Sequence, residues 1–112
     1  MTRDIDITVA ICTYNGADRV PEVLDHLHAQ EEVEQVDWEV LVVDNNSTDE
    51  TSEVVEQYKD AWNRPADLRC VVETRQGLAF ARQRVIDEST STLVAFLDDD
   101  NLPAPDWVAE VV

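Results

Sequence analysis

Residues 38–50 read WEVLVVDNNSTDE. The first seven, Trp38 to Asp44, are nearly all apolar and rich in β-branched valine. A half-exposed strand would alternate apolar and polar residues. An unbroken run fits a strand covered on both faces, in the middle of a parallel sheet. Ser47 and Glu50 then stand in the S-x-x-E spacing of a capping box, which predicts a helix starting there.

The same alternation of strand and helix extends in both directions. On the N-terminal side, IDITVAIC (5–12) predicts a first strand, and Val20, Val23, Leu24 and Leu27 repeat at helical spacing. On the C-terminal side, Val54, Val55, Tyr58 and Trp62 predict the buried face of the second helix. NRPAD (63–67) breaks that pattern, and LRCVVE (68–73) reads as a third strand. Gly77 opens a third helix, with Leu78, Ala81, Val85 and Ile86 expected to face inward. TLVAFL (92–97) is a fourth strand, and LPAPDW (102–107) turns the chain into a last helix. Repeated βα units with right-handed crossovers predict an α/β fold, a Rossmann-like parallel sheet with helices on both faces. No internal repeat or linker divides the chain, so residues 1–112 form one domain.

Composition narrows the class. With 44% hydrophobic residues, only two glycines and four prolines, the chain reads as folded rather than disordered. Twenty-five acidic residues against eight basic ones give a net charge of −17. No basic face can neutralise phosphates, so nucleic acid and anionic membrane surfaces are disfavoured partners. The acidity itself describes a solvated surface, of the kind suited to a salty medium. Cys12 and Cys70 lie in apolar runs without CxxC spacing, which predicts reduced cysteines and a cytoplasmic protein. No apolar stretch approaches the roughly 18 residues of a membrane span, and the N-terminus lacks the basic start of a signal peptide. His26 and His28, two apart on a helix, are expected on the surface, and Trp107 in the core.

Ligands of open α/β sheets bind beyond the carboxyl ends of the strands. There the sequence places TYNG (13–16), DNNSTD (44–49), TRQG (74–77) and DDDN (98–101). The last is the sharpest feature. Two carboxylates about 5 Å apart repel by roughly 3 kcal/mol at an effective dielectric of 20, so three in succession require solvation or a cation. A D-x-D spacing offers one or two oxygen ligands to Mg²⁺ or Mn²⁺ and leaves the remainder to water and a substrate diphosphate. A solvated acidic turn is the plain alternative. DNNSTD is no EF-hand, because Asp49 and Val55 stand where that loop needs Gly and Glu. Its Asn and Ser residues suit a turn, whereas Asp44 could accept a hydrogen bond from a base N–H or a ribose hydroxyl.

ITVAICTYNG (7–16), EVLVVDNNSTDET (39–51), RQGLAFARQRVI (75–86) and LVAFLDDDNLPAPDW (93–107), in that order, resemble the nucleotide-binding half of family 2 glycosyltransferases, which have the GT-A fold. The resemblance implies an inverting transfer of sugar from a nucleotide-diphosphate sugar to an acceptor, with Mn²⁺ or Mg²⁺ as cofactor. It implies that Cys12 and Thr13 line the base pocket, that Tyr14 packs on the base, and that Asp44 reads it, favouring a UDP-sugar. Arg75 would meet the nucleotide, and Arg82 would be a counter-ion near the acidic turn. Asp98 and Asp99 would lie beside ribose and sugar, with Asp100 as the metal ligand and Asp98 as a second one. The family's catalytic base and acceptor site come from beyond the matching region. The chain is thus expected to be a C-terminally truncated, donor-binding part, with the base beyond Val112, no transfer activity of its own, and an apolar surface at Trp107, Val108, Val111 and Val112 prone to self-association.

Other classes fit less well. A receiver-type phosphoacceptor domain needs a lysine after a late strand, and the sole lysine is Lys59 in the second helix. A sugar-nucleotide pyrophosphorylase needs a glycine-rich basic loop after strand one, where only Gly16 stands. A non-catalytic nucleotide-sugar-binding or assembly module stays open.

Overall fold

The computed structural model describes residues 5–62 and 66–112. The order of elements is β1 (Ile7–Thr13), α1 (Val20–His28), β2 (Trp38–Asp44), α2 (Thr51–Asp60), β3 (Asp67–Val72), α3 (Leu78–Glu88), β4 (Leu93–Phe96) and α4 (Trp107–Val111). All strand pairs are parallel and the sheet order is β3-β2-β1-β4. Every residue of β2 is buried, as its nearly all-apolar sequence suggests, with Glu39 and Asp44 buried as charged groups.

From β1 through β2 to β3 the chain steps in one direction. From β3 to β4 it jumps back across two strands. Right-handed crossovers then put α3 on the opposite face from α1 and α2. The cores agree. Val9, Ile11, Val40 and Val42 pack with Val23, Leu24, Leu27 and Val55 on one face. Ala10, Leu41 and Val43 pack with Ala81 and Val85 on the other. The second face also holds buried charge. Glu39 accepts from Thr8 Oγ1 at 2.7 Å and from Arg69 Nε at 2.9 Å, and Arg69 reaches on to Glu88 at the end of α3.

Three expectations change. Helix α2 begins at Thr51, and Ser47 does not cap it. Ser47 is used elsewhere: its N–H donates to Asp44 Oδ1 and its hydroxyl accepts from Asn15 N–H. Asp49 takes over at the helix start, accepting from the Thr51 N–H and hydroxyl. On α3, Leu78 and Ile86 are each 55% exposed, because this one helix covers the sheet through Ala81 and Val85 alone. His26 and His28 lie half-buried at the surface as expected, and the His28 ring meets Trp62 edge-on, centroids 5.0 Å apart. Finally, Val108 is fully buried and Trp107 packs on the larger core, so the apolar end is partly covered. Gln30 holds this end in place, accepting from Val108 N–H at 2.9 Å and donating to the Ala104 carbonyl at 2.7 Å. Of the NRPAD break, residues 63–65 lie outside the described residues. No helix among the described residues is long and apolar enough to cross a membrane.

Candidate functional site

The strand order reverses between β1 and β4, and a crevice at their carboxyl ends is lined by Cys12, Leu78, Arg82, Phe96, Leu97 and Asp98. β1 delivers Cys12, Thr13 and Tyr14 to that crevice, and the turn after β4 delivers Asp98, Asp99 and Asp100. A cavity of about 160 Å³ opens beside this crevice, between β1, the residue after β2 and α3, lined by Cys12, Thr13, Tyr14, Asn45, Leu78 and Ala81. It is smaller than the ~300 Å³ at which drug-sized sites begin, so it suits one ring of a ligand that extends beyond it. Tyr14 stands 43% exposed at its rim. Burial pushes the Cys12 thiol up to about 11 although Arg82 opposes this, so Cys12 lines the cavity as an inert neutral group.

The three aspartates diverge. Asp99 turns inward, accepting from Thr13 Oγ1 at 2.8 Å and from Arg19 Nη2 at 3.0 Å. Asp98 and Asp100 are exposed, and their carboxylates accept no hydrogen bond from any described residue. The turn closes on itself through Asn101 N–H to the Asp98 carbonyl. Gly16 is required beside it: a Cβ there would lie 2.0 Å from Thr13 Oγ1 and 3.2 Å from Asp99 Oδ2.

The neighbouring loops interlock. Asn15 adopts a left-handed φ of 50°, which asparagine tolerates, and its Oδ1 accepts from the N–H groups of Thr48 and Asp49. Asp44, only 4% exposed, accepts from Ser47 N–H at 3.0 Å with Oδ1 and from the Ser52 hydroxyl with Oδ2. It lies behind the cavity and is absent from its lining. Asn45 is the lining residue from this loop. Its amide donates to the carbonyls of Glu73 and Arg75 and accepts from Gly77 N–H, so it joins β2 to the start of α3.

The arginines divide differently from the sequence expectation. Arg75 folds back on Glu73, at 3.1 Å from Nε and 3.0 Å from Nη2, and lies over the Phe80 ring. The hydrogen bonds from Arg75 hold the Glu73 carboxyl down at about 2. Arg82 lies over Phe96 and shares a small crevice with Asp98, but forms no ion pair among the described residues. Among the described residues, the counter-ion that touches the acidic turn is Arg19, which the sequence reading passed over. Asn45 was passed over too, being read as a turn residue. Neither carries a local pattern: one is an arginine before a helix, the other one of two adjacent asparagines.

No group of three or more His, Cys, Asp or Glu side chains converges among the described residues. The described residues therefore offer a cation no closed cage. Two free carboxylates on an exposed turn still fit an oxygen-seeking divalent ion that completes its shell with water and phosphate.

A parallel sheet of order 3-2-1-4, with a crevice at its switch point and an acidic turn on one rim, defines a Rossmann-like α/β protein. The sequence matches glycosyl transferase family 2 over residues 8–112, and the chain belongs to that family. It is 34% identical over 103 residues to glycosyltransferase AglE of Haloferax volcanii, covering 91% of this chain and 33% of that protein. It is 29% identical over 108 residues to the succinoglycan biosynthesis protein ExoM of Rhizobium meliloti, covering 96% and 34%. Among solved structures, TarS 1–349 of S. aureus in complex with UDP-GlcNAc superposes with a TM-score of 0.82 at 26% identity, covering 96% of this chain and 30% of that one. Mannosyltransferase PcManGT from Pyrobaculum calidifontis, in complex with GDP-Man and Mn²⁺, superposes with a TM-score of 0.81 at 32% identity, covering 96% and 33%. The chain thus spans about a third of the length of these relatives.

Proposed function

We propose that this chain is the donor-binding part of an inverting, metal-dependent glycosyltransferase that takes a nucleotide-diphosphate sugar, with a UDP-sugar favoured. One observation carries the reading. The cavity at Cys12–Tyr14 adjoins a crevice that shares Cys12 and Leu78 with it and reaches Asp98, and the Thr13–Asp99 hydrogen bond ties the cavity wall to the acidic turn. That arrangement suits a ligand with an aromatic ring at one end and a metal-bound diphosphate at the other. The complexes of TarS with UDP-GlcNAc and of PcManGT with GDP-Man and Mn²⁺ support the ligand class.

Tyr14 would pack on the base at the cavity rim, with Cys12 and Thr13 along its wall. Asp44 would favour a base presenting an N–H, since a carboxylate only accepts. Its lone pairs are partly used by Ser47 and Ser52, so it would act from behind the cavity or after a small movement. Asp100, with Asp98, would hold Mn²⁺ or Mg²⁺. When bound, the cation supplies charge stabilisation for the departing diphosphate. Asp99 would keep the turn in place, and Arg75, tied to Glu73, would reach the nucleotide only at its edge. No residue of this chain is assigned as the base that activates the acceptor.

Calorimetry with UDP tests this reading, with GDP as the competing base. UDP should bind in Mn²⁺, and Asp100→Ala should weaken it by about tenfold, as expected for loss of a charge-assisted ligand. Equal binding in EDTA would remove the metal from the account. Tighter GDP would overturn the uridine preference.

A further inference from the structure

The acidic turn carries three adjacent carboxylates, yet only two of them face outward. Arg19 separates them. Arg19, one residue before α1, donates from Nη2 to both Asp99 Oδ2 at 3.0 Å and the Tyr14 carbonyl at 3.2 Å. Asp99 also accepts from Thr13, and Gly16 leaves room for that contact. One guanidinium thus spans the rim of the cavity and the acidic turn. A salt bridge to Asp18 at 3.6 Å competes weakly, because Asp18 is almost fully solvated.

We propose that Arg19 is a positioning residue that sorts the acidic turn: it draws Asp99 into the fold and leaves Asp98 and Asp100 as the pair that meets a divalent cation. This rests on the proposed metal-diphosphate site. Arg19 also sets a ceiling on affinity for the bare metal. A fixed positive charge beside the turn repels a divalent ion but attracts the diphosphate that arrives with it. Arg19 therefore makes the site selective for the metal together with nucleotide over the metal alone.

The test compares the unmodified chain with Arg19→Gln, Arg19→Lys and the double variant Arg19→Gln/Asp99→Asn. Mn²⁺ alone is titrated by the loss of its free electron-spin signal, UDP with Mn²⁺ by calorimetry, and the order of residues 98–101 is read from ¹⁵N relaxation without metal. Arg19→Gln frees a third carboxylate and removes a cation, so Mn²⁺ alone should bind about fivefold tighter. UDP with Mn²⁺ should bind about fivefold more weakly in the same variant. Residues 98–101 should lose order. Arg19→Lys should preserve the unmodified behaviour, and the double variant should lose the gain for bare Mn²⁺. Unchanged order in Arg19→Gln, or Mn²⁺ affinity that falls alongside UDP affinity, would overturn the role given to Arg19. An unmodified chain that binds no Mn²⁺, yet loses order in Arg19→Gln, would overturn the metal site while leaving Arg19 as the organiser of the turn.

Discussion

The Thr13 hydroxyl donates to Asp99 Oδ2 at 2.8 Å, across 86 residues of sequence, and ties the end of β1 to the acidic turn after β4. Gly16 makes this contact possible, since a Cβ there would collide with the same hydroxyl. Gly16→Ala should therefore destabilise the chain by about 2 kcal/mol, within the usual range for overpacking. In a Thr13→Ala background the clash is relieved and the cost should fall by half or more, about 1 kcal/mol of coupling. Denaturant titration of the four proteins in that cycle measures it, and additive costs would count against the contact.

Asp44→Asn keeps the shape of the side chain. Its Oδ1 can still accept from Ser47 N–H, and Ser52 can accept from its Nδ2. The fold should survive with a loss of about 1 kcal/mol. UDP affinity should fall by about tenfold, because the new donor would meet the uracil N–H. Undiminished affinity would limit Asp44 to bracing the β2–α2 loop.

How much of this was legible in the sequence depends on the range of the interactions. The unbroken run Trp38–Asp44 announced a doubly covered strand, and β2 is buried throughout. Asp98, Asp99 and Asp100 stood out together as charges after an apolar strand. The role of Ser47 was misread because its partner, Asn15, lies on another loop 32 residues away. The three aspartates could not be told apart for the same reason, since Thr13 and Arg19 distinguish them only after folding. Leu78 and Ile86 fit a helical stripe that is wider than the strip of sheet α3 covers.

Acid should weaken the fold through Glu73. Its carboxyl sits at about 2 in the folded chain, chiefly through its hydrogen bonds from Arg75, against an ordinary value of 4.5. A depressed folded value means stability that is present above pH 4.5 and lost as pH falls toward 2. Glu73→Gln should flatten the decline in melting temperature across that window. An unchanged profile would show that other carboxylates carry the acid sensitivity.

A net charge of −17 opposes compaction by self-repulsion, and salt screens it. The melting temperature should rise as NaCl goes from about 0.05 to 1 M, where the screening length drops from above 10 Å to about 3 Å. Flat or falling stability over that range would mean that the acidic side chains are too well dispersed to matter.

The same charge bears on association. Leu93 and Phe96 on the edge strand β4, with Leu78 and Ile86 on α3, are exposed apolar side chains. Edge strands and apolar patches favour pairing between copies, while repulsion opposes it. Light scattering should show monomers at low salt and dimers or larger species at high salt and millimolar protein. Monomers under both conditions would contradict this.

The central claim is that two adjoining clefts at the carboxyl ends of β1 and β4 hold base and diphosphate side by side. Its most direct test is a titration of the ¹⁵N-labelled chain with UDP in Mg²⁺, followed amide by amide. The account predicts shifts concentrated at Thr13–Gly16, Asn45 and Asp98–Asn101, with those at the acidic turn lost in EDTA. Shifts centred elsewhere, such as the α1–α2 surface around Tyr58 and Trp62, or no shifts at millimolar UDP, would contradict it.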